Sequence, residues 1–274
     1  MPHSDVSLTE QRTQQGAVTE NQVYTAIADV LDPELDESLV KLGFIDSVQI
    51  DGADVTIIFK LPTFWCAPNF AYLMASDLKK QVHTLPGVRQ VRVVLLDHCA
   101  DEEVTHGVNQ NRSFAEIFPE ESTEDPYLED LRRTFLRKGF LMRQDALIRA
   151  LLKAGLDEPQ IAALRLRDMQ IDERANQVLI NVNGNVLSLD NVVQSASKYL
   201  QRRNTLALSM LPDDALIIDD QGVPLQAGHL KEFLRRSRSI RMNIMFNTSL
   251  CKGLFQTRYG TQTAQTPVEE GEML

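Results

Sequence analysis

Between residues 19 and 96 the apolar positions switch between helical and strand spacing three times. After Thr19-Glu-Asn-Gln22, residues Val23, Ala26, Ile27 and Val30 recur on one face, which predicts a helix over 19–31. Pro33 ends it, because a residue before proline is pushed out of the α region. A charged connection over 34–41 follows. Residues 44–50 read as a strand, Asp51-Gly52 as a hairpin turn, and the β-branched run 55–59 as a second strand. Helical spacing returns over 68–81, with Pro68 suited to a first turn. Leu85-Pro-Gly87 marks a stop, and 88–96 reads as a third strand. The order is helix, strand, strand, helix, strand, which predicts an α/β (α+β) domain with a small mixed sheet. Strands two and three, joined through a helix, should be parallel with a right-handed crossover.

Past residue 100 the pattern is mostly helical. Asp101-Glu-Glu103 reads as a solvated loop, and 112–126 as a linker. Helices are expected over 127–140, 143–154, 158–164, 191–203 and 227–238. Between them lie strands over 178–182 and 186–189, joined at Asn183-Gly184. The expected organisation is a flexible lead (1–18), a first domain (19–111), the linker, a mostly helical second domain with a small β hairpin (127–260), and a disordered tail (261–274).

Charge sharpens that boundary. The 274 residues carry a net charge of −10, and residues 1–124 hold 20 acids against 8 bases. The remainder holds 18 acids and 20 bases, so the halves should meet different partners. An acidic first half is not built for nucleic acid. Three widely spaced cysteines, Cys66, Cys99 and Cys251, argue for reduced thiols and a cytoplasmic location. No apolar run suits a membrane span, and Met-Pro-His-Ser-Asp lacks the features of a signal peptide.

The candidate chemistry lies at one sheet edge. Cys66 sits where the second strand gives way to the second helix, and a helix N-terminus favours thiolate. The third strand ends at Asp97-His98-Cys99, beside the same edge. The first strand begins there too, after Asp32, Glu34, Asp36 and Glu37. Carboxylates, thiols and an imidazole are therefore expected to converge in a group suited to iron or zinc. The candidate functional thiol is Cys66, and its candidate metal or site partners are Asp32, Glu34, Thr63, His98 and Cys99. Against this stand plainer readings: a turn-capping Asp32 and Glu34, a strand-end His98, and buried thiols at Cys99 and Cys251.

Four motifs occur in sequence: Val30-Leu-Asp-Pro-Glu-Leu35, Leu42-Gly-Phe-Ile45, Leu61-Pro-Thr-Phe-Trp-Cys66 and Leu85-Pro-Gly-Val88. Through them residues 20–96 resemble the small iron–sulfur assembly domain family that includes SufT and PaaD. The resemblance implies a role in maturing or delivering iron or iron–sulfur cofactors, with Cys66 as the functional thiol and Asp32 and Glu34 as its acidic partners. Ala67 departs from the family's usual Cys-Pro pair, and Pro62 stands where threonine is common. The run from Phe64 to Ser76, with Leu131 to Lys138, looks like long bacterial members associated with soluble di-iron alkane monooxygenases. That would make the client a di-iron hydroxylase.

The second half resembles the catalytic half of tyrosine recombinases of the phage integrase type, without their chemistry. Asp157 stands where the first catalytic arginine belongs, and Asn183 and Asn185 occupy the turn of the catalytic lysine. Tyr259 lacks the cationic cradle that a phosphoryl transition state requires. Lys231, Arg235, Arg236, Arg238 and Arg241 form a basic stretch read as partner-docking. The expected protein is a non-enzymatic assembly factor carrying iron or a cluster transiently, bound to a client metalloenzyme and in one arrangement dimeric. Its rivals are a DNA-binding regulator and a metal-free client chaperone.

Overall fold

The computed structural model describes residues 18–120 and 126–260. The expected lead (except Val18) and tail lie outside the described residues. The chain divides into two compact units. Among the described residues, the first comprises 18–32, 37–120 and 251–260, and the second 33–36 and 126–250.

In the first unit, α1 (Glu20–Ile27) opens on a reciprocal capping box between Thr19 and Gln22 and buries Val23 and Ile27. Two short strands, β1 (Leu31–Asp32) and β2 (Glu37–Ser38), pair antiparallel, followed by α2 (Leu39–Leu42). Strand β2 and most of α2 fall in the segment expected as a plain connection, and β1 takes the end of the expected first helix, which stops at Ile27. Gly43 ends α2 at φ 76°, a left-handed C-cap that glycine adopts without strain.

Strands β3 (Ile45–Asp51), β4 (Asp54–Lys60) and β5 (Gln90–Leu96) form a sheet in the order β3-β4-β5. The β3–β4 pair is antiparallel, and β4–β5 is parallel from Asp54↔Gln90 to Lys60↔Leu96. Period-two alternation buries Val55, Ile57 and Phe59 on β4 and Val91, Val93 and Leu95 on β5. The crossover is α3 (Pro68–His83), which buries Ala71, Leu73, Met74, Ala75, Leu78 and Val82.

Two expectations fail here. Residues 101–103 are not a loop but the first turn of α4 (Asp101–Asn109), where three acids complement the positive end of the helix dipole. Most of the expected linker before residue 120 is likewise packed structure. Ser113 and Glu116 form a capping box opening α5 (Phe114–Ile117), and Phe114 is buried between the rings of Tyr72 and Phe118.

The second unit is built on α6 (Pro126–Lys153), one continuous helix rather than the two expected. It is joined by α7 (Glu158–Ala163), an antiparallel sheet of β6 (Met169–Asp172), β7 (Gln177–Val182) and β8 (Asn185–Asp190), α8 (Val193–Thr205) and α9 (Leu230–Tyr259). Its core gathers Phe140, Leu147, Ile148, Leu151, Val178, Ile180, Tyr199 and Leu216. Tyr199 donates to the Leu216 carbonyl, and burial pushes its pKa up to about 12. Asp36 is buried in this unit, where Arg143 Nε and Arg202 Nε each donate to its carboxylate at 2.7 Å. Helix α9 runs on past the expected end at 238, and its residues from Cys251 group with the first unit.

Candidate functional site around Cys66

The site begins where β4 runs out. Residues 61–67 form the loop between β4 and α3, and Cys66 stands one residue before Ala67, the N-cap of α3. Pro68 at the first helical position removes an amide that would lack an intrahelical acceptor. The expected placement of a half-buried cysteine at a strand-to-helix junction is the one observed. The Thr63 hydroxyl lies 3.0 Å from Cys66 Sγ. When the sulfur is thiolate the hydroxyl donates to it, and a charge-assisted hydrogen bond of that kind is stronger than a neutral one.

Two backbone contacts from the end of β5 fix the loop. The Cys99 amide donates to the Phe64 carbonyl at 2.7 Å, and His98 Nε2 donates to the Cys66 carbonyl at 2.7 Å. On the other side of the ring, the Ala100 amide donates to His98 Nδ1 at 3.1 Å. A backbone amide only donates, so Nδ1 carries the lone pair and Nε2 the proton. His98 is 2% exposed, and burial holds its pKa below the ordinary value of 6.5. Both ring nitrogens are thus spent on the backbone. His98 positions the cysteine loop; it has no lone pair left for a metal, contrary to the sequence expectation. Asp97 makes the sharp turn out of β5 at φ 57°. Cys99 contributes its backbone to the clamp and leaves its thiol exposed.

The acidic residues do not complete the expected group. Glu34 accepts from Asn247 Nδ2 at 3.2 Å in the second unit, where Asp36 is also held by its two arginines. Asp32 belongs to the β1–β2 pair. Among the described residues, no three histidine, cysteine, aspartate or glutamate side chains gather closely enough to hold a metal ion.

Two residues that the sequence did not signal as site residues do reach this edge. Arg258, near the end of α9, donates to the Asp97 carbonyl at 2.7 Å and to the Leu61 carbonyl at 3.4 Å, bracing both sides of the cysteine loop. The Tyr259 hydroxyl oxygen is buried without a hydrogen-bond partner of good geometry among the described residues, and its ring lies 5.1 Å from Lys60 Nζ. Burial raises its pKa, the negative charges of Asp97 and Cys66 raise it further, and Arg258 opposes them. Beside the buried side of the loop, Phe64 and Trp65 face outward, with Trp65 75% exposed.

Residues 20–93 match the model of a family described as iron–sulfur cluster assembly protein. An uncharacterized protein of Methanocaldococcus jannaschii is 34% identical over 89 residues, which span 90% of that protein and 32% of this chain. The chain belongs to the iron–sulfur cluster assembly family. An iron–sulfur cluster carrier protein of Synechocystis is 40% identical over 76 residues, 28% of this chain and only 21% of the carrier. The family segment contains β3, β4, α3, Cys66 and the first part of β5. The clamp residues His98 and Cys99, helix α4 and the end of α9 lie beyond it.

In the second unit the basic stretch lies on α9. Lys231, Arg235, Arg236 and Arg238 are exposed, Lys231 within 3.3 Å of Glu158 and Arg235 within 4.0 Å of Glu232. Arg241 instead turns inward to Asp145 at 3.1 Å. None of the helices, among the described residues, is long and apolar enough to cross a membrane.

Proposed function

We propose that this iron–sulfur assembly family member is a cytoplasmic maturation factor that takes iron or an iron–sulfur cluster as cargo at Cys66 and passes it to an iron-dependent client enzyme. The observation that carries this reading is a single thiol, Cys66, within the family-matched segment, held at a helix N-terminus with Thr63 on its sulfur and two exposed aromatics next to it. Thiolates are the usual ligands of such clusters, generally four at a time. Cys66 supplies one, so the remaining ligands come from a second copy of the chain or from the client, and the complex is transient by construction. Phe64 and Trp65 suit the apolar centre of a protein interface, where aromatic side chains dominate binding.

The protein acts by transfer rather than by turnover. Its client, on the likeness of residues 64–76 to proteins associated with alkane monooxygenases, is a di-iron hydroxylase. The second unit, read as an integrase-like domain without recombinase chemistry, recognises that client, with Arg235, Arg236 and Arg238 docking on an acidic surface.

The test is maturation of a co-expressed client. With Cys66→Ser, client iron content should fall to the level found without the factor, while the variant keeps its fold and its client binding. Full client iron with Cys66→Ser would favour the other reading, a metal-free chaperone. That alternative draws on the incomplete ligand set of the described residues.

A further inference from the structure

At the far end of α3 from Cys66 the first unit carries a cavity of about 560 Å³, lined by α3, the start of β5 and the C-terminal end of α4. Its size falls in the range of small-molecule sites, roughly 300–1,000 Å³. Its charge sets it apart. Residues 1–124 contain only 8 lysines and arginines against 20 acids, yet four of those bases, Lys79, Lys80, Arg89 and Arg112, line this one cavity with His83. No aspartate or glutamate lines it.

The bases are not equivalent. Lys79 Nζ donates to the carbonyls of Val108 and Asn109 at 2.8 and 3.0 Å and to Asn111 Oδ1 at 2.7 Å. It caps α4 and sets its charge at the cavity wall, balanced by neutral oxygens alone. Arg89 is engaged with Asp54 at the rim. Arg112 donates through Nη2 to the Glu116 carbonyl, leaving its other N–H groups. Lys80 and His83, one helical turn apart on α3, make no hydrogen bond or ion pair among the described residues. Ser76 and Tyr72 continue the same α3 face, and the Tyr72 hydroxyl is tied to the Arg112 carbonyl at 3.0 Å.

We propose that this cavity binds a phosphorylated small molecule, its phosphate groups held by Lys80, His83 and Arg112 in the field of Lys79. Lysine and arginine are the usual donors to phosphate, with charge-assisted bonds about twice as strong as neutral ones. The volume exceeds what one phosphate fills, which leaves room for an organic portion along Tyr72 and Val91. The chain's net charge of −10 repels anions elsewhere, so binding there is local rather than a diffuse counterion effect.

The experiment is isothermal titration calorimetry of the full chain with inorganic pyrophosphate and with ADP, near 0.15 M salt, where long-range charge effects are screened within about 8 Å. The wild type should bind at least one probe with a dissociation constant of about 1 mM or tighter, a free energy near −4 kcal/mol. Equal affinities place the site on the phosphates alone; tighter ADP binding extends it to the organic portion. The Lys80→Ala/His83→Ala variant changes two exposed side chains, so it should keep its melting temperature and bind at least tenfold more weakly. Cys66→Ser should bind as wild type does, because this site stands apart from cargo chemistry. Absence of binding to both probes, or undiminished affinity in the double variant, overturns the proposal.

Discussion

His98 Nε2 donates to the carbonyl oxygen of Cys66 at 2.7 Å while Nδ1 accepts from the Ala100 amide at 3.1 Å, and the second of these bonds exists only while Nδ1 is unprotonated. Protonation would force Nδ1 to become a donor facing the Ala100 amide, itself a donor. Burial holds the folded-state pKa below 6.5, so the unfolded chain takes up the proton first. The stability contributed by neutral His98 is therefore complete above pH 6.5 and is lost as pH falls through the depressed value. Urea unfolding across that range should show declining stability in the wild type. His98→Asn does not titrate there and should show a shallower decline.

Removing the imidazole altogether tests the clamp at constant pH. His98→Ala leaves the Cys66 carbonyl and the Ala100 amide without partners, at a cost of about 1–3 kcal/mol for each buried group. The expected result near neutrality is a lower urea midpoint together with faster alkylation of Cys66 by iodoacetamide, as the loop loosens. A lower midpoint with unchanged alkylation would show that His98 supports the unit without positioning the cysteine.

Thr63 and Arg258 act on the same loop from different sides. Thr63→Val removes the hydroxyl 3.0 Å from the sulfur, so the thiolate loses a donor and alkylation of Cys66 near neutrality should slow. Arg258→Ala frees the carbonyls of Leu61 and Asp97 but leaves the sulfur's hydrogen bond intact. Its signature should be faster alkylation, as the loop loosens. The direction of the rate change therefore separates the two.

Two helical glycines give a paired stability test. A Cβ at Gly139 on α6 would stand 2.6 Å from Asp36 Oδ1, an oxygen already fixed by Arg202. Gly139→Ala should cost about 1–3 kcal/mol, as overpacking does. A Cβ at Gly253 on α9 meets nothing within 4 Å. There the backbone entropy saved by alanine dominates, and Gly253→Ala should stabilise by up to about 1 kcal/mol. Thermal melts of the two variants should move in opposite directions.

The sheet and α3 were legible in the sequence because their signals are local. Alternation on β4, Asp51-Gly52 at the hairpin and Pro68 at the start of α3 each act within a few residues. The element order then fixed the parallel β4–β5 pair. What stayed hidden depends on distant partners. Asp101-Glu-Glu103 looks like a loop until Val104 and Val108 have something to bury against. Glu34 and Asp36 read as part of a metal group because nothing nearby in sequence shows Asn247, Arg143 or Arg202 taking them. His98 was found as a residue of the edge, but its role depends on two backbone groups, one 32 residues away. Arg258 lies 161 residues from Asp97, and no spacing rule connects them.

The central claim is that Cys66 carries the cargo. The most direct measurement is iron and acid-labile sulfide content after anaerobic reconstitution with ferrous iron and sulfide. It should compare wild type, Cys66→Ser and, as a control for the neighbouring exposed thiol, Cys99→Ser. The account predicts iron and sulfide retained by wild type and by Cys99→Ser and missing from Cys66→Ser. Equal retention by Cys66→Ser, or none by wild type, would contradict it.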